Sequence, residues 1–510
     1  MAKVFLRCRS LCLALGLFLL SACAEANFEG GKAQAQVLGG SGSSSLRVYT
    51  QAWGKEHGYR KSAFYPLREG LDALGARLRL LDAAEQSIDV QYFLMKDDVV
   101  GHLFSSKLLA AADRGVRVRF LLDDIFTTIT DVDLYVLDQH RNIEVRLFNP
   151  IARRGFRHLN YISDFSRANR RMHNKSFTVD GCFTIVGGRN IGSEYFSLKE
   201  NSEFFDLDVL AMGAVVKDVA DSFDEFWGHS KAVPIEDLAD KPSEAHLDSA
   251  KAGIEQVMQS DGIDIYRRAI DSRLLDDLIE KRIDSFVADA YVISESPKKL
   301  ELSVGDSSMR LSREIGDILL NAKAEVVIFN PYFIPTKKGM PFWQQVIDNG
   351  VQVSLVTNSL ASTNHVPVHS AYEKYRKDLL KMGFSLFEAR PDAMQIIKGV
   401  DQVSTLHTKL IVVDRRYAFI GSLNLDPRSV IINTEMGILI DSKELAEKLL
   451  ANRDAVFEKI VYQLHLSQDN EIEWHGRDFS KTVIHQKEPQ TTWWRRFTVN
   501  VYKLLPEGQL

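Results

Sequence analysis

The segment MHNKSFTVD at residues 172–180 decides the fold, because its pattern occurs a second time as LHTKLIVVD at residues 406–414. Both copies place one residue between His and Lys and four residues between Lys and Asp. After six further residues, both continue into a Gly-rich turn that ends in Asn, GGRN at residues 187–190 and GSLN at residues 421–424. Two copies with every interval preserved indicate an internal duplication.

The motif residues are predicted to lie on a β-hairpin. Apolar and β-branched residues surround both copies, and Asp180-Gly181 is typical of a turn between two short strands. Side chains two positions apart on a strand share a face, so the His and Lys of each copy point together. Each Asp has the opposite parity and lies at the turn, so we predict that it holds local structure. The motif residues are His173, Lys175, Asp180, His407, Lys409 and Asp414.

The chemistry of these residue types suits a phosphate group. A histidine beside a fixed cation, close to a Gly-rich turn and an Asn amide, can hold a phosphate and attack it. A single His-x-Lys pattern on a strand is usually an ordinary half-exposed edge, whereas two copies that share every interval favour a catalytic site. We therefore take the motif residues, with Asn190 and Asn424 at the ends of the turns, as the candidate site.

The duplication extends beyond the motif. Strand-like runs at residues 87–93 and 116–122 are separated by a helical stretch and a Gly, and residues 325–333 and 351–356 repeat this order. Alternating strands and helices predict an α/β lobe. The predicted fold class is therefore α/β, with two similar lobes, each a β-sheet flanked by helices and each supplying half of the site.

The doubled His-x-Lys-x4-Asp, followed by Gly-Gly/Ser-x-Asn, resembles the signature of the phospholipase D superfamily. Three further stretches are similar to bacterial cardiolipin synthases of the C type: DFSR at residues 164–167, TNSL at 357–360 and NLDPRS at 424–429. This similarity extends from about residue 65 to the C-terminus. It implies two phospholipase D-like lobes with the active site at their interface, and a reaction that needs no metal or other cofactor.

The resemblance also implies a transfer in two steps. His173 attacks a phosphodiester to give a phosphohistidine, while His407 protonates the departing alcohol. His407 then acts as the base for an incoming alcohol. The phosphate oxygens are held in the transition state by Lys175, Lys409, Asn190 and Asn424.

Two carboxylates follow the motif hairpins at similar distances. NSEF at residues 201–204 follows the first hairpin, and NTEM at residues 433–436 follows the second. A carboxylate can fix the tautomer of a histidine and support its imidazolium form. We therefore predict that Glu203 and Glu435 orient the two histidines; the alternative is that both are ordinary surface residues.

The N-terminus has the layout of a bacterial secretory signal. Three cations precede an apolar run at residues 11–20 that is too short to span a membrane as a stable helix. LSAC at residues 20–23 resembles a lipobox, in which Cys23 is lipidated and becomes the mature N-terminus; an ordinary cleaved signal is the alternative. Ala24, rather than Asp, slightly favours the outer membrane over the inner membrane, with the protein facing the periplasm. Cys182 then remains alone, so no disulfide is expected.

The chain divides into six predicted segments. A signal peptide of the lipoprotein type and a flexible tether precede the first lobe, a helical connector joins the lobes, and a tail that mixes aromatic residues with cations follows the second lobe. The tail is typical of an interfacial membrane segment, and packing of its aromatic residues on the body is the alternative. In order, the segments are residues 1–22, 23–60, 61–231, 232–300, 301–465 and 466–510.

The distribution of charge limits the classes of binding partner that we expect. The formal net charge is −5 and becomes more negative once the cations of the signal are removed, so no general attraction to nucleic acid is expected. A cluster of arginines between Arg153 and Arg171 precedes the first motif. Such a cluster suits an anionic lipid headgroup, and a solvated charged loop is the alternative.

Three enzymatic functions and one non-enzymatic function remain open. The first is a membrane-associated cardiolipin synthase that joins phosphatidylglycerol to a phosphatidyl group from a second phospholipid, such as phosphatidylethanolamine, with or without a small accessory protein. The second is a phospholipase D that hands the phosphatidyl group to water and forms phosphatidic acid. A nuclease of the superfamily is disfavoured by the acidic charge, and a non-catalytic lipoprotein scaffold by the two intact motifs.

Overall fold

The computed structural model describes residues 44–153, 157–199, 202–238, 240–271, 277, 280, 285–303, 311–451, 453–478, 481–505 and 507–509. The predicted signal, the lipobox with Cys23 and the first part of the predicted tether lie outside these residues. Within the described ranges, no helix combines the length and the apolarity that crossing a membrane requires.

The first lobe is built on a mixed β-sheet. Its strands are β1 (Ser62–Leu67), β2 (Ser87–Tyr92), β3 (Arg117–Asp123), β4 (Ile143–Phe148), β5 (Ser176–Val179), β6 (Phe183–Gly187), β7 (Ser202–Phe205), β8 (Asp208–Gly213) and β9 (Ala232–Pro234). Apart from β7, they lie side by side in the order β9-β4-β3-β2-β5-β6-β8-β1. Strands β2, β3 and β4 are parallel, and the other neighbours are antiparallel.

The second lobe repeats this arrangement. Its strands are β10 (Phe286–Ser294), β11 (Glu325–Phe329), β12 (Gln352–Asn358), β13 (Ser385–Ala389), β14 (Val403–Leu406), β15 (Leu410–Val413), β16 (Tyr417–Gly421), β17 (Met436–Asp441), β18 (Val461–Leu466), β19 (Ile472–Asp478) and β20 (Lys481–His485). Apart from β14, their order is β10-β17-β16-β15-β11-β12-β13-β18-β19-β20. Parallel strands β11, β12 and β13 correspond to β2, β3 and β4, so the predicted duplicated α/β fold is confirmed.

Strand β10 joins the two sheets into one. Its first residues pair with β1, and its later residues pair with β17. The predicted connector at residues 232–300 is therefore not only helical, because it contains a strand that belongs to both lobes. Apolar and aromatic residues predominate along FVADAYVIS at 286–294 and carry this strand signal, which the charged residues just before the run obscured.

Helices cover the faces of the sheet. Those of the first lobe and the connector are α1 (Ser45–His57), α2 (Gly70–Ala83), α3 (Val99–Asp113), α4 (Asp131–Asp138), α5 (Arg157–Ser163), α6 (Phe165–Ala168), α7 (Val215–Trp227), α8 (Ile235–Leu238), α9 (Glu244–Gln256) and α10 (Asp261–Ile270). Those that follow are α11 (Leu311–Leu320), α12 (Thr336–Asp348), α13 (Val366–Glu373), α14 (Arg376–Met382), α15 (Ala393–Lys398), α16 (Lys443–Leu450), α17 (Arg453–Ile460) and α18 (Trp493–Tyr502).

The three largest apolar cores in the described part of the chain hold these layers together. One lies inside each lobe, and a third lies between the lobes, where α7 and α16 pack with the strands that carry and follow the motifs. Helix α7 forms because apolar residues recur every three or four positions, and these residues are the buried ones. Continuous apolar packing between the lobes fixes their relative position, which a site shared by the lobes requires.

Both ends of the described chain are more ordered than the sequence predicted. Helix α1 lies within the predicted tether of residues 23–60, yet Leu46 and Trp53 are buried in the first-lobe core, so the tether prediction is too long at its C-terminal end. In the predicted tail at 466–510, β19 and β20 extend the second sheet, and only α18 remains as a candidate interfacial segment.

Candidate active site

Both motif histidines are fastened to the opposite lobe through the main chain. His173 N–H donates to Thr434 O at 2.9 Å, and His407 N–H donates to Phe205 O at 2.8 Å. Strand β14, which leads to His407, pairs in parallel with β7 of the first lobe, and Met172 bridges Thr434 in the same parallel sense. The two motif segments therefore meet at the lobe interface in equivalent positions.

Each histidine pairs with a carboxylate of the other lobe. His173 Nδ1 lies 2.8 Å from Glu435 Oε2, and His407 Nδ1 lies 2.6 Å from Asp206 Oδ2. When Nδ1 donates its hydrogen to the carboxylate, Nε2 carries the lone pair that can attack phosphorus or accept a proton. Neither lobe alone contains a complete pair, so a working site needs both.

The carboxylate beside His407 is Asp206, so the prediction of Glu203 is wrong. Glu203 lies on β7, and its carboxylate accepts a hydrogen bond from Ser197 Oγ at 2.6 Å in the loop before this strand. NSEF and NTEM resemble each other in sequence, but Glu203 lies three residues before Asp206, the residue that corresponds to Glu435 in the structure.

Main-chain hydrogen bonds show that Asp206 and Glu435 are the true equivalents. In each lobe, the residue after the first glycine of the turn donates its N–H to the carbonyl of the residue after the carboxylate. These bonds are Gly188 N–H to Leu207 O and Ser422 N–H to Met436 O. The segment between turn and carboxylate is longer in the first lobe, so spacing along the chain could not reveal the match.

The second residue of each turn fits the carboxylate that it faces. A Cβ at Gly188 would lie 2.2 Å from Asp206 Oδ1, so only glycine leaves room for that carboxylate. In the second lobe, Ser422 Oγ donates to Glu435 Oε2 at 2.5 Å. The difference between GGRN and GSLN is therefore a signal of the two different carboxylates.

The two motif lysines are buried beside the histidines. Lys175 Nζ donates to His173 O at 2.7 Å, and Lys409 Nζ donates to His407 O at 2.5 Å. Burial lowers the pKa of Lys175 to about 7 and the pKa of Lys409 to about 8. A phosphate anion would stabilise the charged form of both amines, so the lysines are suited to bind it.

Asp180 and Asp414 lie at the hairpin turns, away from the histidines. Each has a left-handed backbone conformation, with φ of 52° and 53°, as a tight hairpin turn requires. Their carboxylates accept main-chain N–H groups at the start of the neighbouring strand, so they fix the hairpin to the sheet, as their parity predicted. The donors are Glu85, Gln86 and Ser87 for Asp180, and Lys323, Ala324 and Glu325 for Asp414.

The two asparagines differ in their engagement. Asn190 Nδ2 donates to Tyr195 Oη at 3.0 Å, and its Oδ1 accepts from Leu94 N–H at 3.4 Å. Asn424 is equally buried, and its Oδ1 has no hydrogen-bond partner in the described part of the chain. The Asn424 amide is therefore the freer of the two to turn toward a ligand.

Both imidazoles are neutral at neutral pH before substrate binds. Burial, followed by the charges of Lys175 and Lys409, lowers the pKa of His173 well below its ordinary value. Burial and Lys409 lower the pKa of His407 to about 4, against the opposing effect of Asp206. Neutral imidazole is the nucleophilic form, so both side chains have the protonation state that a nucleophile needs.

Comparison with known families decides the classification. The family described as cardiolipin synthase, phospholipase D-like domain matches residues 78–227 and 315–457, one match for each lobe. The chain belongs to this family. It is 40% identical over 448 residues to cardiolipin synthase C of Escherichia coli, a match that covers 87% of this chain and 94% of that protein.

More distant relatives share the family or the fold. Cardiolipin synthase A of Pseudomonas aeruginosa is 25% identical over 394 residues, which cover 77% of this chain and 66% of that protein. A crystal structure of phosphatidylserine synthase from Haemophilus influenzae is 16% identical, with a TM-score of 0.53, and the match covers 82% of this chain and 92% of that one. This last similarity concerns the fold alone. The family match and the 40% identity to cardiolipin synthase C show that the chain is an enzyme of the phospholipase D superfamily.

In this cardiolipin synthase-like chain, the two histidine–carboxylate pairs have different electrostatic surroundings. Burial opposes the ionisation of Asp206, but His407, Lys409 and Arg189 together lower its pKa below the ordinary value. Burial raises the pKa of Glu435 to about 7, despite the opposing charge of Lys175. Asp206 is therefore the better partner for a charged imidazolium, so the two pairs are not electrostatically equivalent.

A second carboxylate, missed by the sequence reasoning, supports Glu435. Glu295 Oε2 accepts the N–H of Glu435 at 3.0 Å, and Glu295 N–H donates to Glu435 O at 3.0 Å. Lys299 Nζ lies 2.7 Å from Glu295, and both side chains are buried. This pair lies in the predicted connector, where an ordinary Glu-x-x-x-Lys spacing gave no reason to expect a role beside the site.

The arginine cluster before the first motif supports the fold. Most of its described members contact carboxylates of the same lobe, so they are not free to bind a lipid headgroup. The ion pairs are Arg153 with Asp124 and Asp131, Arg167 with Asp164, and Arg171 with Asp123. Arg170 donates to the carbonyls of Leu300 and Leu302, and Arg154 lies outside the described residues.

Proposed function

We propose that the protein is a phosphatidyltransferase that makes cardiolipin from phosphatidylglycerol and a phosphatidyl group of a second phospholipid, by way of a phosphohistidine. The observation that carries this proposal is the pair of buried histidines at the lobe interface, each held by a carboxylate of the other lobe. The similarity to proteins named cardiolipin synthase supports the choice of reaction.

In the first step, His173 is the nucleophile. Its neutral Nε2 attacks phosphorus, and the bond from phosphorus to the headgroup oxygen breaks as the new N–P bond forms. The ammonium groups of Lys175 and Lys409, together with the Asn424 amide, stabilise the charge on the phosphate oxygens. Binding in a buried site strengthens these contacts, since little water competes for them.

His407 is the acid of the first step and the base of the second. As an imidazolium stabilised by Asp206, it gives a proton to the departing headgroup alcohol. Burial lowers its pKa to about 4, and a negative phosphodiester that binds beside it raises this pKa. In the second step, neutral His407 takes the proton of a phosphatidylglycerol hydroxyl, whose oxygen attacks phosphorus and releases His173.

The acceptor determines whether the enzyme is a synthase or a hydrolase. A phosphohistidine reacts with any nucleophile that reaches it, and water is far more concentrated than a lipid alcohol. Only 7% of His173 and 6% of His407 is exposed, so the structure leaves little access for bulk water. Phosphatidylethanolamine is a candidate donor, and a protein that formed only phosphatidic acid would be a phospholipase D.

The proposed location of the protein is a bacterial membrane, on the side that faces the periplasm. Lipidation at Cys23 would hold the protein there, and the long segment before α1 would let the lobes reach lipid headgroups. By analogy, Ala24 slightly favours the outer membrane. Fractionation of cells into inner and outer membranes tests this, since recovery in the inner membrane contradicts it.

Trapping the intermediate tests the mechanism and the roles of the two histidines. The substrate is a short-chain phosphatidyl ester of p-nitrophenol, a leaving group that departs without a proton. His407→Ala should release a burst of one equivalent of p-nitrophenol and accumulate phosphohistidine at His173, whereas His173→Ala should release none. His102→Ala, a histidine on α3 that pairs with Asp97, is the control and should behave as wild type.

Several results would contradict the proposal. A burst with His173→Ala would reverse the roles of the histidines, and turnover of natural lipids by either variant would refute the shared site. Turnover should also be insensitive to a chelator. In the described part of the chain, the two groups of His, Asp and Glu side chains that could hold a metal contain no motif residue. A strict requirement for a divalent ion would indicate metal-assisted hydrolysis.

A further inference from the structure

Two equivalent segments next to the motif histidines carry exposed apolar side chains. In the first lobe, Ile162 and Phe165 lie on α5 and α6, between β4 and His173. In the second lobe, Ile396 and Ile397 lie on α15, between β13 and His407, and both are exposed. We call these the rim segments, residues 160–168 and 393–400.

Each rim segment is fastened to the opposite lobe. Arg428 Nη1 donates to Asn169 Oδ1 at 2.7 Å, directly after the first segment. Lys398 Nζ lies 2.9 Å from Glu69 Oε2, within the second segment. Each rim segment therefore lies near the lobe interface and ends five or seven residues before its motif histidine, with its apolar side chains exposed.

Helix α18 adds a third apolar surface. Gln490, just before this helix, donates to Asp392 Oδ2 at 2.9 Å, directly before the second rim segment. Its Trp493 and Trp494 are 59% and 67% exposed, and Phe497 and Val501 are also exposed, whereas Val499 on the opposite face is buried. The rings of Trp493, Trp494 and Phe497 contact one another. An exposed cluster of large apolar side chains on a protein surface is typical of an interaction site.

Hydrogen bonds place α18 next to the chain that leads to His407. Arg495 donates to the carbonyls of Leu360 and Thr363, both at 2.7 Å. The same loop accepts a hydrogen bond from Thr405 Oγ1 through Ser362 O at 2.7 Å, two residues before His407. The helix is therefore held against the loop that contacts β14, the strand that leads to His407.

The charge of α18 indicates what covers it. Residues 491–505 contain Arg495, Arg496 and Lys503 and no Asp or Glu. Lys503 pairs with Glu373, whereas Arg495 and Arg496 donate to main-chain carbonyls, which do not neutralise their charge. Tryptophans combined with cations on one short helix are typical of a segment that lies in the interface of an anionic bilayer. A second copy of this chain is less suitable, because the formal net charge of −5 makes copies repel one another.

We propose that α18 and the two rim segments form one docking face for an anionic lipid bilayer, which presses the entrance of the site against the lipid headgroups. This inference rests on the proposed function in one respect, that the substrates are bilayer lipids. It explains how a phospholipid reaches histidines that are nearly closed to water. The lipid moves from the bilayer into the site without crossing bulk solvent.

Tryptophan fluorescence of the full-length protein tests the docking face. Of the six tryptophans, four are buried in the lobes, so quenching by brominated acyl chains reports Trp493 and Trp494. Because an acyl chain at Cys23 would hold the protein on any vesicle, quenching is more informative than sedimentation. Vesicles with roughly a third phosphatidylglycerol should quench the emission strongly, and pure phosphatidylcholine vesicles should quench it weakly.

Two sets of variants test whether α18 is responsible for the activity on vesicles. The triple variant Trp493→Ser, Trp494→Ser, Phe497→Ser should lower turnover on phosphatidylglycerol vesicles by about fivefold or more and leave turnover of a soluble short-chain substrate unchanged. The matched control is Val48→Ser with Tyr59→Ser. Val48 lies on α1 and Tyr59 shortly after it, and both are exposed. Arg47 of this helix donates to Asp180 O at 2.8 Å, so the helix lies at the turn end of β5, away from His173, and the control should match wild type.

The outcomes separate the possibilities. Absence of quenching by any vesicle, or equal losses in the triple variant and the control, overturns the docking face. Equal loss on vesicles and on the soluble substrate shows that α18 only supports the fold, and a concentration-dependent dimer that the triple variant abolishes shows that a second copy covers the face. Quenching without cardiolipin formation would leave the docking face standing and refute the proposed function.

Discussion

Replacement of Asp206 by Asn should disable the acid–base half of the site without removing any side-chain volume. Asp206 Oδ2 lies 2.6 Å from His407 Nδ1, and both groups are buried. Asn keeps the size of the side chain but removes the charge that stabilises imidazolium. It can also present an N–H toward Nδ1, which favours the tautomer with hydrogen on Nε2 and removes the lone pair needed in the second step.

The expected loss follows from these two effects. A hydrogen bond to a charged group contributes about 1.5–3 kcal/mol, which corresponds to about 10- to 150-fold in rate. When the wrong tautomer also dominates, the loss in a His–carboxylate catalytic pair reaches about 10⁴-fold. We therefore expect cardiolipin formation by Asp206→Asn to fall by about 10²- to 10⁴-fold.

Two substrates and one matched variant check this reasoning. Cardiolipin formation from phosphatidylglycerol vesicles is measured by mass spectrometry of the lipids, and release of p-nitrophenol from the activated short-chain ester reports the first step alone. Because the activated leaving group needs no acid, its release should fall less than cardiolipin formation. Glu203→Gln is the matched control, and it should retain activity because Glu203 contacts Ser197.

A small effect would refute the assignment of Asp206. Asp206→Asn activity within about threefold of wild type on natural lipids, less than the weakest expected hydrogen-bond contribution, would show that the contact has no catalytic role. A loss in Glu203→Gln as large as that in Asp206→Asn would restore the prediction made from the sequence.

Three further predictions concern stability, anchoring and the choice of acceptor. Burial raises the pKa of Glu435 from 4.5 to about 7, so its contribution to the free energy of unfolding is fully present below about pH 4.5 and is lost as the pH rises through about 7. Denaturant titrations at several pH values should show that Glu435→Gln reduces the fall of this free energy with pH, and the same pH dependence as in wild type would contradict the prediction. Cys23→Ser should abolish labelling by a palmitate probe and either release the protein into the soluble fraction or leave it with an unprocessed signal, whereas unchanged labelling would remove the lipobox interpretation. Removal of residues 491–510 should raise the ratio of phosphatidic acid to cardiolipin formed from phosphatidylglycerol vesicles while hydrolysis of a soluble short-chain substrate persists, and an unchanged ratio would show that the tail has no part in acceptor choice.

The sequence by itself determined the duplication, the α/β class and the positions of the motif residues. His173, Lys175 and Asp180 lie within nine consecutive residues, so their relative geometry depends on one hairpin, whose strand parity and turn chemistry can be read directly. The second copy fixes His407 and Lys409 in the same way. Local geometry of this kind survives in any fold that contains the hairpin.

Only the tertiary structure decided the partners of the histidines. Asp206 and Glu435 reach their histidines across the lobe interface, and Glu295 arrives through β10, which pairs with β17 and brings the connector beside the site. A longer segment before Asp206 hides its equivalence to Glu435, because loop length changes the spacing along the chain without moving the strand that follows. Contacts between residues far apart in sequence depend on strand order and lobe packing, and no local pattern records them.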